Sequence, residues 1–233
     1  GKIIYQKAMG EFTAKTQAPI ASCSKWLTAA LVMSFVDEGK LSLDDKVSKF
    51  LPIFTKYSKG YITIKDCLSH LTGIESEPGI MGILGRKKFT TLEEEVDNFA
   101  SKKEIESNPG LALRYRNVGL NIAGRVLEVM TRRSFEQLMQ ERITRPLMMR
   151  NTSFSSFTAV NPSGGAISTA NDYLNFLSMI LNKGMFNGKR ILSEKAIADM
   201  QTAKTPAAMR KYAPKAATGC DYGYGKWILE THA

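Results

Sequence analysis

The densest apolar stretch of the chain runs from Trp26 to Val36, with only Thr28 and Ser34 interrupting it. A helix that is apolar nearly all the way round is buried on most sides, so this one reads as the central helix of its lobe. Gly39, just after Asp37-Glu38, supplies the left-handed stop. Apolar positions also recur at helical intervals in three other stretches. Leu120, Ile122, Ala123, Val126, Leu127 and Met130 predict a helix from about Asn117, and residues 172–182 predict a second. Residues 91–100 predict a third, with acidic residues in its first turn where the dipole favours them. Residues 62–73 read as a helix capped by Thr63 and stopped at Gly73, preceded by a short helical turn ending near Pro52. Residues 2–8 read as the second strand of a hairpin whose first strand lies outside the sequence, and residues 74–90 as irregular and glycine-rich.

Chemistry enters at the mouth of the central helix. Ser22 and Lys25 are three residues apart, which puts both side chains on one face of a first turn, where backbone N–H groups are unpaired and the dipole favours developing negative charge. An ammonium held against so apolar a helix loses pKa by desolvation, so Lys25 can take the proton of the Ser22 hydroxyl. The spacing is not diagnostic by itself, because a serine before a helix is most often an N-cap. Its position is more telling: Ser22 is the only serine in the chain followed by lysine three residues later.

Composition narrows the partners. The net charge is +10, from 32 basic against 22 acidic residues, yet the basic residues are scattered and no aromatic stacking pattern accompanies them. A solvated basic surface accounts for this better than nucleic-acid binding. No apolar run reaches the length of a membrane span. Cys23, Cys67 and Cys220 lack metal or redox spacing and read as free thiols. Neither His70 nor His232 has a companion that suggests a metal site, and no cofactor motif is present. His70 reads as a structural hydrogen-bonding residue.

A second informative stretch begins at Asn108-Pro109-Gly110. Pro-Gly forces a turn, a short extended piece follows, and Tyr115 and Asn117 fall on a loop leading into a helix, where side chains can be aimed into a cleft. Seen alone, these two serve equally well as a tyrosine anchor and an asparagine cap. A further Tyr-x-Asn, at Tyr173 and Asn175, lies inside the helix of residues 172–182 and reads as coincidence.

Ser22-x-x-Lys25 followed by Tyr115-x-Asn117 resembles the serine β-lactamase and penicillin-binding-protein superfamily, and specifically the class C β-lactamase-like serine hydrolases. The stretches 39–45, 69–74, 145–154, 164–172 and Tyr222-Gly223-Tyr224-Gly225 are similar to that group as well, in family order and over nearly the whole chain.

The resemblance implies an α+β fold, an all-helical lobe packed on an antiparallel sheet flanked by helices. Residues 1–233 would form one catalytic domain, with the helical lobe at roughly 40–160 and the ends feeding a sheet lobe that is incomplete. It implies that Ser22 forms an acyl-enzyme, that Lys25 and Tyr115 share acid–base work, that Asn117 orients the substrate amide, and that the Ser22 N–H supplies half of an oxyanion hole. The implied substrates are small esters, D-amino-acid peptides or β-lactams, including peptidoglycan-derived ones, and the implied location is the periplasm or cell envelope. There is no Ser-Asp-Asn, which argues against the class A branch. One departure stands out: there is no Lys-Thr-Gly or His-x-Gly, and His232 reads as a strand residue. The missing third motif keeps a catalytically silent binding protein open beside the hydrolase, and because the motifs present do not separate β-lactam, peptide and ester hydrolysis, a true class C β-lactamase stays open as well.

Overall fold

The computed structural model describes residues 3–76, 89–154 and 159–229. Its centre is α1, Ser24–Asp37, whose residues from Ser24 to Phe35 are all buried except Trp26. Around it run the short helices α2 (Ile53–Lys56) and α3 (Ile64–Leu68), then α4 (Leu92–Lys102), α5 (Val118–Thr131) and α6 (Phe135–Met139), which continues into a π-helical stretch at Gln140–Thr144. Two later helices, α7 (Ala170–Leu181) and α8 (Glu194–Gln201), follow. One hydrophobic cluster links α1 with residues of each of the other helices among the described residues, from Phe54 to Met200.

Local chemistry explains the boundaries. Thr63, Thr91 and Ser134 each open a helix with a reciprocal capping box, so two otherwise orphan N–H groups are satisfied at each start. Thr169 and Ser193 cap α7 and α8 through their side chains. The close approach of α3 and α5 depends on Gly119, where a Cβ would lie 2.2 Å from the Cys67 carbonyl oxygen.

The strands are short and paired in twos. β1 (Ala18–Pro19) runs antiparallel to β3 (Ile167–Ser168), and β2 (Leu113–Arg114) pairs in parallel with β6 (Arg210–Tyr212). β4 (Met185–Phe186) and β5 (Lys189–Arg190) form one hairpin, and β7 (Cys220–Tyr222) and β8 (Trp227–Leu229) another. The fold is α+β, with small paired sheets in place of one broad antiparallel sheet among the described residues.

Two expectations are corrected. Residues 3–8 form no strand: no described strand lies beside them, and Ile4 and Tyr5 are 94% and 77% exposed. The helix expected over 62–73 ends at Leu68, because His70 adopts φ 60° and Gly73 φ 70°, left-handed values that break the helical run well before the expected stop. His232 lies outside the described residues. The three cysteines are unpaired, and no described helix is long and apolar enough to cross a membrane.

Candidate active site

Ser22 sits in a 3₁₀ turn, Ala21–Cys23, that leads directly into α1. The turn is strained at Ala21, whose φ is 44°, a value L-residues rarely adopt outside functional sites and tight turns. Three contacts hold it in place. The Ile20 N–H donates to the Ala166 carbonyl, the Ala166 N–H donates to Ser24 Oγ, and the Tyr173 hydroxyl donates to the Cys23 carbonyl at 3.1 Å. Ser22 is thereby left exposed, whereas Lys25, one turn along, is 1% exposed.

The Lys25 Nζ donates three hydrogen bonds: to Ser22 Oγ at 3.3 Å, to Asn117 Oδ1 at 3.1 Å and to the Ser163 carbonyl at 2.7 Å. All three acceptors are neutral. Burial therefore dominates, and it pushes the Lys25 pKa from 10.5 down to about 7, against a smaller opposing influence from Cys23. The Ser163 carbonyl is itself fixed from behind. The Ser163 N–H donates to Asn121 Oδ1, Asn121 Nδ2 donates to the buried Glu95, and Thr28 Oγ1 donates to the adjacent Pro162 carbonyl.

Tyr115 closes the other side, with Lys25 Nζ 5.0 Å from its ring centroid. Its phenol pKa is raised by burial, while hydrogen bonding with Ser22 and Trp227 pulls the other way. The ring is held in an aromatic nest, with centroids of His70, Trp227 and Tyr222 at 4.6, 5.0 and 5.8 Å. His70 Nδ1 accepts the Arg116 N–H, which puts its proton on Nε2, 3.0 Å from the Tyr222 hydroxyl. Burial and then the nearby Lys25 hold the His70 pKa well below its usual value, so the imidazole is neutral. The Tyr-Gly-Tyr-Gly stretch seats this nest on α1: Gly225 has φ +77°, and a Cβ there would lie 2.6 Å from the Lys25 carbonyl oxygen.

Ser22, Lys25, Tyr115 and Asn117 thus meet at one point, drawn from positions up to 95 residues apart, since the sequence places Ser22 and Asn117 at those numbers. A family model described as Beta-lactamase matches residues 1–231. The chain belongs to the Beta-lactamase family. Within that family it is 32% identical to a candidate beta-lactamase from Bacteroides dorei DSM 17855, with a TM-score of 0.85 over 97% of this chain and 70% of the other. It is similar to Protein flp of Staphylococcus aureus (strain MW2), 27% identical over 168 residues, 66% of this chain and 33% of Flp. It is also similar to the D-alanyl-D-alanine-carboxypeptidase/endopeptidase AmpH of Escherichia coli (strain K12), 24% identical over 192 residues, 72% of this chain and 49% of AmpH. The chain therefore spans about a third to a half of these curated relatives.

Sequence reasoning missed Ser163, which acts through its carbonyl and so leaves no side-chain signature. It missed the nest around Tyr115 as well, although Tyr222 lay in a stretch already noted. Tyr173, read as part of a coincidental motif, braces the turn that carries Ser22, whereas Asn175 is spent on the Leu147 carbonyl. Among the described residues no cluster of three His, Cys, Asp or Glu side chains offers a metal site.

Proposed function

We propose that this Beta-lactamase-family chain is a serine hydrolase acting through an acyl-enzyme on small esters and D-amino-acid peptides. The observation that carries the reading is the pairing of an exposed Ser22 hydroxyl with a buried Lys25 amine at 3.3 Å, the lysine carrying a pKa of about 7. A lysine neutral near physiological pH can accept the serine proton as Oγ attacks a carbonyl, forming the C–O bond of a tetrahedral intermediate. Tyr115 remains a protonated phenol and is suited to pass its proton to the leaving group as the bond between the acyl carbon and that group breaks, and the proton that Lys25 took from Ser22 then reprotonates Tyr115. Water then attacks the ester carbonyl, returning the proton to Ser22 and releasing the acid.

Asn117 has a double task in this scheme. Its Oδ1 holds Lys25, leaving its Nδ2 to meet a substrate carbonyl. The Ser22 N–H, at the positive end of α1, supplies an oxyanion donor. The likeness to AmpH supports D-amino-acid peptides as one substrate class.

Rapid turnover of a β-lactam needs a water aimed at a hindered acyl-enzyme, and no described residue is identified with that task. Nitrocefin, a p-nitrophenyl ester and a D-Ala-D-Ala peptide compared side by side test the reading. The specificity constant for the ester or the peptide should exceed that for nitrocefin; a nitrocefin value far above both would make the protein a β-lactamase.

A further inference from the structure

The carbonyl that takes the Lys25 amine stands on neither a helix nor a strand. Ser163 belongs to the connection 161–166, which crosses the first turns of α1. Thr28 Oγ1 donates to the Pro162 carbonyl at 2.7 Å, Lys25 Nζ to the Ser163 carbonyl at 2.7 Å, and the Ala166 N–H to Ser24 Oγ at 3.0 Å. Behind the connection lies α5, and two of its residues, one turn apart, meet it. Gly124 makes room, since a Cβ there would lie 2.6 Å from Pro162 Cγ. Asn121, fully buried, bonds it: the Ser163 N–H donates to Asn121 Oδ1 at 3.0 Å. Asn121 Nδ2 in turn donates at 3.1 Å to Oε2 of Glu95 on α4, a carboxyl group that is itself buried.

A carboxamide is directional, because one end accepts and the other donates. Turned over, Asn121 would set its NH2 against the Ser163 N–H and its oxygen against the accepting oxygen of Glu95. Both meetings leave buried polar groups unmet, which folded proteins avoid. Glu95 therefore decides which way the Asn121 amide points, the amide holds the Ser163 N–H, and Ser163 brings its carbonyl to Nζ. We propose that Glu95 and Asn121 are positioning residues of the acyl-transfer site, acting through Ser163 to hold the Lys25 amine at the Ser22 hydroxyl. Neither reaches the reacting atoms, and Glu95 is linked to Lys25 only through two neutral groups. The line thus sets the place of the amine while the atom bonded to Nζ stays a neutral oxygen. Nζ also bonds Ser22 and Asn117, so a displaced Ser163 carbonyl would draw it from the 3.3 Å contact with Oγ.

This inference rests on the acyl-transfer reading of Ser22, and the two can fail separately. Single-turnover release of p-nitrophenol from p-nitrophenyl acetate by the full chain gives a limiting acylation rate and a half-saturating concentration. Glu95→Leu removes the acceptor and should lower the limiting rate, per site titrated with a fluorophosphonate, by about tenfold or more, with half-saturation unchanged. Glu95→Gln, whose amide oxygen can still accept from Asn121 Nδ2, should recover most of that loss. Glu93→Gln, which removes the same charge from the exposed side of α4, should show none of it. A Glu95 that only supported the fold would cost stability and leave the rate per site as it was. That result, no recovery in Glu95→Gln, or an equal loss in Glu93→Gln would overturn the proposal. Should Glu95→Leu not fold, Asn121→Leu carries the same expectation and the same refutation. If the wild type releases no p-nitrophenol, the acyl-transfer reading fails instead, and amide hydrogen exchange decides on the relay. The Ser163 N–H should be protected in the wild type and in Glu95→Gln and exchange faster in Glu95→Leu; equal protection in all three would refute it.

Discussion

Lys25 Nζ donates to the Ser163 carbonyl at 2.7 Å, its shortest hydrogen bond, although 138 positions separate the two residues. A neutral oxygen in that place anchors the amine without supplying the negative charge that would keep it protonated. A carboxylate there would raise the lysine pKa, and burial would no longer bring it near neutrality.

The first prediction follows from that balance. Because neutral Lys25 is the active form, acylation of Ser22 should rise with pH through a midpoint near 7 and then level off. Stability should move with it. The folded pKa lies below the ordinary 10.5, so between about 7 and 10.5 the unfolded chain binds more protons and stability increases with pH; below about 7 the cost of the buried charge is fully present. Stopped-flow acylation and thermal melts across this range check both. A flat acylation profile from pH 5 to 9 would contradict the role given to Lys25.

Removing the amine while keeping its bulk should abolish acyl transfer. Lys25→Met is expected to lower the acylation rate by at least about a hundredfold, the usual worth of a positioned base. Single-turnover labelling measures it, with circular dichroism as the check on folding.

Tyr115→Phe keeps the ring in its nest of His70, Trp227 and Tyr222 and removes only the hydroxyl. Turnover of esters should fall by a factor on the order of a hundred, with little change in melting temperature. If stability falls while turnover holds, Tyr115 is an anchor and not a proton donor.

His70→Phe makes the opposite pattern. It leaves the Tyr222 hydroxyl and the Arg116 N–H without their partner, and each unsatisfied group costs about 1–3 kcal/mol. Denaturant unfolding should show that loss. The pH–rate profile of the wild type should carry no limb from His70, because burial keeps the imidazole neutral.

The sequence carried what side-chain type and spacing can encode. The apolar run of α1, the Thr63 cap and the helices entered near Thr91 and Asn117 are local features, and they appear where periodicity and capping chemistry put them. Ser22 and Lys25 share a turn, so their proximity was legible too. What escaped depends on distant chain segments. The Ser163 carbonyl and the Tyr222–His70 pair reach the site only through tertiary packing. The early end of α3 depends on left-handed backbone at His70, a residue whose type does not demand it. Residues 3–8 open with Ile3, Ile4 and Tyr5, residue types that strands favour, but a strand also needs a neighbour to take its hydrogen bonds.

The most direct test of the account is mass spectrometry of the full chain after reaction with a fluorophosphonate, beside Ser22→Ala. The account predicts one adduct, on the peptide containing Ser22, absent from Ser22→Ala and formed more slowly in Lys25→Met. Equal labelling of Ser22→Ala, or an adduct on Cys23 or Ser24 in the wild type, would contradict it.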